Sequence, residues 1–414
     1  MEFPTWVEVD LDRFRRNLGA IRSAIGERRR ILLVVKADAY GHGAVEIAQH
    51  AVRAGVNMLG VATLHEGIEL RSSGLSAPIV ILSPTLLGEV DEILEHRLTP
   101  SVTSVDFAER LSARCVAQQI LARFHVEVDT GMGRTGVSDS EAVEFITRVA
   151  LLPNLKLEGV YTHFPDADSG DSTATEEQVR KFETILRALK LRNIDVPLRH
   201  AANSAGLLSV PDSFLDMVRP GILAYGFYPT REVPRSVEVE GILSFKTRVV
   251  QLRDLPPGRN VSYGRTFTTK RWTRIGVLPV GYGHGYPWQL SNRGQVLIRG
   301  RRAPIVGRVT MDLTMVDATD IEVALGDEVV LWGEQQGVRL GLDEVAAWAQ
   351  TIPYDLLCSM GKRVVRVYVE EGREPKVLTL IGERQEVEEA ESGSATGRKR
   401  RRKVQYKTRA GSGR

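Results

Sequence analysis

The apolar run "ILLVV" at residues 31–35 gives way to Lys36 and then to "ADAYGHG". A lysine at the tip of an apolar strand is either an ion-paired or capping group, or a nucleophile that forms a Schiff base with a carbonyl. Gly41 and Gly43 let the backbone turn tightly beside whatever Lys36 carries. Other apolar segments also close on polar groups. "HVEVDTGMGRTG" sets His125, Glu127 and Asp129 at alternate positions, the side-chain period of a strand, and brings Arg134 after a glycine-rich turn. "YTHF" carries His163, and "HAANSAGLL" offers Asn203 and Ser204 at the start of a short helix whose amides and positive dipole end suit a phosphate. "VRPGILAYG" adds Arg219, with Gly221 two residues on. Taken singly, each of these is more often structural. Together, a nucleophilic lysine, a phosphate cradle and a strand-end arginine match the needs of a pyridoxal phosphate site.

Such groups need elements to position them. Eight apolar segments read as strands, at 31–36, 58–63, 78–83, 97–102, 122–129, 155–164, 198–203 and 214–220. Helical windows such as "GAVEIAQHAVRAG" and "TEEQVRKFETILRALKL" lie between most of them. Eight β-then-α units in about 200 residues suit a closed (β/α)8 TIM-type barrel better than an open parallel sheet. In a barrel of this kind reactive groups gather at the carboxyl ends of the strands, where the residues above are found. The pattern changes after about residue 240. "RIGVLPVGYGHGY" and "GQVLIRGRRAPIVGRVTMDLTMVD" are β-rich and punctuated by Gly and Pro, which predicts a separate C-terminal all-β domain. The expected division is a barrel at 11–235, a β-domain at 236–370, and a linker with a basic, disordered tail at 371–414.

Composition narrows the setting. The chain has 414 residues, 43% hydrophobic and 26% charged, ordinary for a globular protein with room for two or three domains. The net charge of +3 misleads, because residues 398–414 hold nine Lys or Arg and no acid, so the rest of the chain is net acidic. A charge block of this kind is usually a solvated tail, able at most to touch anionic partners without specificity. No apolar run approaches the ~20 residues of a membrane span, and the acidic start "MEFPTWVEVDLDRF" lacks the apolar segment of a secretory signal. Cys115 and Cys358 alone support neither a disulfide framework nor a metal cluster, so a reducing cytoplasm is the expected home and no metal is expected.

The motifs "VVKADAYGHG", "VDTGMGRTG", "THF", "ANSAG", "VRPGI", "VSYGRTF", "PVGYG", "TMD" and "YDLLC" fall in an order and spacing that resemble the bacterial alanine racemases over about residues 3–370. The resemblance implies a fold in which residues 1–10 supply a strand to the β-domain. It also implies a head-to-tail homodimer whose β-domains each cover the partner's barrel mouth, and pyridoxal 5'-phosphate as cofactor. By the same resemblance, Lys36 carries the cofactor and serves as one base, and Tyr263, from the partner, serves as the other. His163 and Arg219 are the neighbours expected to donate toward the tyrosine oxygen, with Arg219 also facing the pyridine nitrogen. Tyr40, Ser204, Gly221, Ile222 and Tyr354 are implied in phosphate binding, and Arg134 and the Met311 backbone in holding the substrate carboxylate, with Asp312 in support. Tyr282 and Tyr354 are implied to narrow the entrance, and the product to serve peptidoglycan synthesis.

Three departures from the family pattern stand out, of which those at His284 and Leu313 bear on preference among small amino acids, serine included. Glu127 stands where many members have a carbamylated lysine, and is expected to orient Arg134 with its negative charge. His284 replaces an acid in "GYGHG", and Leu313 replaces an amide after "TMD". A decarboxylase of the same architecture would need an acid facing the pyridine nitrogen, which Arg219 opposes. A non-catalytic cofactor carrier would lack the β-domain and Tyr263. A nucleic-acid-binding reading rests on the basic tail alone.

Overall fold

The computed structural model describes residues 3–389 and 401–407. The chain divides into two compact units: Arg13–Glu240, and a second in which the N-terminal strand joins the chain from Gly241 onward. That first strand is β1 (Thr5–Asp10). The other unit is built on β2 (Arg30–Val34), β3 (Met58–Val61), β4 (Ile79–Ile81), β5 (Thr99–Val102) and β6 (Ala122–Asp129). The short β7 (Val137–Ser138) pairs with β6, and β8 (Leu155–Tyr161), β9 (Leu198–His200) and β10 (Met217–Val218) complete the set.

All ladders in this unit are parallel, and β10 returns to lie beside β2, so eight strands make a nearly closed barrel. The β9–β10 gap is sealed by single bonds rather than a ladder. Asp216 N–H donates to Arg199 O at 3.0 Å, and the Asp216 carboxylate accepts from the Arg199 amide and guanidinium at 2.6–2.9 Å. The eight segments read from the sequence are the eight strands of the barrel, most of them shorter at their carboxyl ends, where the chain peels into loops.

Local pattern explains the layers. "ILLV" in β2 is buried on both faces, as a strand between barrel core and helix must be. The helix Ala44–Arg53 buries Ala44, Ile47, Ala48 and Ala51, a 3.6-residue stripe against the sheet. Thr173–Leu191 does the same with Val179, Phe182, Ile185 and Leu189. Each such Leu, Ile or Phe contributes roughly 1.5–3 kcal/mol when buried.

In the second unit β1 is central to a ten-stranded sheet, antiparallel to Leu243–Arg248 and parallel to Val365–Val369. Phe245, Trp332 and Tyr286 pack edge to face in its core, with the Phe245 and Trp332 rings 4.8 Å apart. The sheet does not stop near residue 370. Where a linker and unstructured tail were expected, Lys376–Thr379, Gly382–Glu389 and Arg401–Lys407 add three antiparallel strands. The sequence reading weighed the basic run by itself. In the hairpin register Gly382–Glu389 pairs with Arg401–Lys407, Glu383 lying opposite Lys407, so the run before the basic segment supplies its partner strand. Residues 390–400 and 408–414 of the expected tail lie outside the described residues. Among those described, no helix is long and apolar enough to cross a membrane.

Candidate active site

β2 ends at Val34, and Lys36 follows the buried Val35. From Ala37 to Tyr40 the chain runs left-handed, with φ of 51°, 54°, 52° and 53°, before Gly41 at 77°. Each non-glycine residue there costs roughly 1–2 kcal/mol, so four in succession persist only where surroundings hold them. Ala39 N–H donates to Val35 O at 2.9 Å and Gly43 N–H to Asp38 O at 2.9 Å. Asp38 Oδ1 accepts from Ala44 N–H at 2.8 Å, tying the turn to the next helix. The buried His42 aims Nδ1 at the carbonyls of Ala39 and Tyr40, 2.9 Å from each, which makes Nδ1 the protonated nitrogen. Tyr40 packs against Tyr225, ring centroids 5.1 Å apart, and the Tyr225 hydroxyl donates to Val34 O at 2.8 Å. Lys36 is thus presented, half-buried, at the carboxyl end of β2.

Arg219, one residue past β10, is buried and donates in several directions. Its Nη2 reaches Thr162 O at 2.7 Å, Ala201 O at 3.1 Å and His163 Nδ1 at 3.2 Å; Nη1 reaches His200 Nδ1 at 3.1 Å. Burial lowers its pKa to about 10, which leaves it cationic at neutral pH. Because a guanidinium can only donate, both imidazoles accept at Nδ1 and carry their proton on Nε2. Burial, followed by the cations Arg219, Arg134 and Lys36, pushes His163 down to about 3. His163 is therefore a neutral donor whose Nε2–H is free of the Arg219 contact.

The network continues away from Arg219. His200 Nε2 donates to His125 Nδ1 at 2.9 Å, and His125 Nε2 faces Glu158 Oε2 at 3.4 Å, long for a hydrogen bond but within ion-pair reach. Glu158 Oε1 meets the Arg123 guanidinium at 3.1 Å. Burial lowers the pKa of both His125 and His200, so the two imidazoles are neutral and pass a chain of N–H dipoles from Arg219 toward the carboxylate.

Arg134 follows a loop shaped by Asp129, whose carboxylate accepts the amides of Gly131, Met132 and Gly133 at 2.8–3.1 Å. Burial works against ionisation, but the three amides outweigh it and hold Asp129 below the usual carboxylate range. Glu127 is buried and accepts from Thr135 Oγ1 at 2.8 Å, one residue beyond the exposed Arg134. Burial raises its pKa, opposed by the Thr135 bond and by the charges of Arg219 and Arg134.

A hydroxyl, a helix start and a glycine loop gather where an anion's oxygens could be held. The Ser204 hydroxyl accepts from Gly221 N–H at 2.9 Å and Leu223 N–H at 3.3 Å, joining the helix Ser204–Ser209 to the loop after β10. A Cβ on Gly221 would stand 2.6 Å from the Tyr40 hydroxyl. That position must stay bare so that the Tyr40 hydroxyl can lie against the backbone, and Ile222 is buried beside it.

The remaining expected residues belong to the second unit. Tyr263 is 72% exposed on a turn pinned by Ser262 Oγ donating to Arg308 O at 2.7 Å. Tyr282 and Met311 are about half exposed on loops zipped together by Tyr282 N–H to Thr310 O at 3.1 Å and Gly283 N–H to Met311 O at 2.9 Å. Asp312 pairs with Arg363 at 2.7 Å. Tyr354 is half-buried on the helix Pro353–Cys358. Four expected residues thus lie on interlocked loops, with Trp288 and Leu313 exposed as well, an apolar surface of the kind that partners cover.

The sequence reading missed Glu66, His42 and His200. Glu66 had a legible signal in the capping box "TLHE" at 63–66. His200 stood in a quoted segment, but nothing local marked it as a partner of Arg219.

Two family models match the chain: "Alanine racemase, N-terminal domain" over residues 9–229 and "Alanine racemase, C-terminal domain" over 242–368. The alanine racemase of Halothermothrix orenii is 44% identical over 366 residues, 88% of this chain and 97% of that protein. A solved alanine racemase of Clostridium difficile 630 superposes with a TM-score of 0.87 at 34% identity, covering 92% of this chain and all of the other. The alanine racemase of Bartonella henselae, solved with covalently bound pyridoxal phosphate, gives a TM-score of 0.80 at 27% identity over 89% of this chain and all of that one.

Proposed function

The chain belongs to the alanine racemase family and is an amino-acid isomerase of that class; on that premise we propose that it interconverts L- and D-alanine with pyridoxal 5'-phosphate by a two-base mechanism. One observation carries the reading: Lys36, His163 and Arg219 converge at the carboxyl end of one barrel, beside Tyr40, Ser204 and the bare Gly221.

Lys36 would hold the cofactor through its amine, and Tyr40, Ser204, Gly221 and Ile222, with the Tyr354 hydroxyl, would hold its phosphate. When bound, the cofactor conjugates with the substrate Cα and spreads the electron pair left by a departing proton. Arg219, a buried cation just past β10, would disfavour a second positive charge on a cofactor ring held beside it and so would restrain side reactions that need fuller delocalisation. Arg134 binds the substrate carboxylate as a charge-assisted donor, and Glu127 balances its charge through the Thr135 side of the loop.

Racemisation requires a proton to leave one face of Cα and return to the other. Lys36 Nζ moves it on one face. The Tyr263 hydroxyl, from a second copy of the chain, moves it on the other, with the Nε2–H of neutral His163 stabilising the oxygen when it is charged. Met311 and Asp312 arrive with Tyr263. Tyr282 and Tyr354 narrow the entrance, favouring a methyl side chain over bulkier ones. D-alanine would then be available for peptidoglycan, in a cytoplasmic setting.

The direct test is purified, cofactor-loaded protein with L-alanine, and with L-serine alongside for a broader preference. D-alanine should appear, Lys36→Ala should abolish it, and borohydride reduction should leave the cofactor attached at Lys36. Loaded protein that produces no D-alanine would end this reading.

A further inference from the structure

We infer that Glu66, in the first turn of the helix Leu64–Ser72 that follows β3, is the positioning residue that sets Lys36. Its Oε1 accepts Ala37 N–H at 2.7 Å, from the residue that follows Lys36. Its Oε2 accepts Ala62 N–H at 2.7 Å and Thr63 N–H at 3.2 Å, on the neighbouring strand's loop. One carboxylate thus ties the first amide of the left-handed turn to the next βα loop of the barrel. Ala37 opens the left-handed turn, and its amide takes the Glu66 carboxylate as acceptor. The strained segment 37–40 needs anchors at both ends. Asp38, bound to Ala44 N–H, secures the far side, and Glu66 secures the side next to Lys36.

Glu66 also caps the helix Leu64–Ser72, since Thr63 Oγ1 accepts Glu66 N–H in a capping box. The two roles are separable. Thr63→Ala weakens the cap and leaves the carboxylate on Ala37. Glu66→Gln has one acceptor oxygen, best spent on the Ala62 and Thr63 amides, and then turns an NH2 group against Ala37 N–H, breaking only the clamp.

The inference rests on Lys36 being the working amine, and its test does not. Amide hydrogen exchange over residues 36–43, read by mass spectrometry, reports the turn whatever the protein catalyses. Glu66→Gln and Glu66→Ala should speed that exchange by about tenfold to a hundredfold, the scale of one lost charge-assisted hydrogen bond. Both should lower kcat by a similar factor with KM for alanine little changed, as for a group that aligns a base rather than binds substrate. Thr63→Ala should leave the exchange of 36–43 and kcat at wild-type values. Unchanged exchange at 36–43 in Glu66→Gln overturns the inference. So does a Thr63→Ala variant that reproduces the loss, because the effect would then come from the helix cap. If wild-type protein fails to racemise alanine, the proposed function falls, while the exchange data still decide whether Glu66 holds the turn.

Discussion

At the scale of single residues, the site works by fixing protonation states through burial. His163, His200 and His125 all have pKa values lowered first by desolvation, His163 to about 3. A group kept neutral in the folded chain but able to take a proton near pH ~6.5 when unfolded makes the unfolded state bind more protons in acid. Stability from these histidines is therefore complete above that pH and is lost as pH falls below it, for His163 down through about 3. Thermal midpoints measured across that range should drop, and His200→Gln should flatten the dependence even though it lowers stability at neutral pH. Glu127 makes a second test. Glu127→Gln keeps an acceptor for Thr135 but removes the charge that balances Arg134, so KM for alanine should rise by about threefold to tenfold, the order of one partly screened charge interaction. Unchanged KM and kcat would remove Glu127 from the site.

At the scale of elements, a β-bulge builds the network behind Arg219. The pairing of β6 with β8 shifts between Phe124 and His125, so that Phe124 opposes Leu157 while His125 opposes Gly159. Glu158 is the extra residue, and bulges re-aim side chains in this way beside functional sites. Gly159 completes the device, because a Cβ there would stand 2.7 Å from the His125 ring. Gly159→Ala should displace that ring and cost about 1–3 kcal/mol, as overpacking of a close-packed interior does. A urea midpoint unchanged from wild type would show that the ring has room to give.

At the scale of the whole molecule, the residues proposed for one reaction are divided between two compact units of the chain. Tyr263, Met311 and Tyr282 share exposed, interlocked loops in one unit, and Lys36, His163 and Arg219 share the barrel of the other. Sites shared between subunits can be tested by complementation. Lys36→Ala and Tyr263→Phe should each be inactive alone. Mixed and reassembled, they should regain about a quarter of wild-type activity, since half the dimers are mixed and each holds one intact site of two. No recovery on mixing would mean that each site is built within one chain.

The sequence alone determined the barrel, because a strand buried on both faces and an amphipathic helix leave repeating signatures, and eight of them in a row admit few architectures. It also marked Lys36, Arg134, His163 and Arg219, since strand ends are where a barrel exposes polar groups and motif spacing identified them. Tertiary structure decided the rest. The left-handed turn at Ala37–Tyr40 depends on Asp38, His42 and Glu66, and Glu66 reaches it from the helix after the neighbouring strand. The partners of Arg219 come from the end of β8 and from β9 and the residue after it, β6 adding His125 only behind His200, and the acidic and basic runs of the C-terminal hairpin become one structure only in register. Periodicity is written along a chain, whereas contacts between groups distant in sequence exist only once folding has brought them within reach.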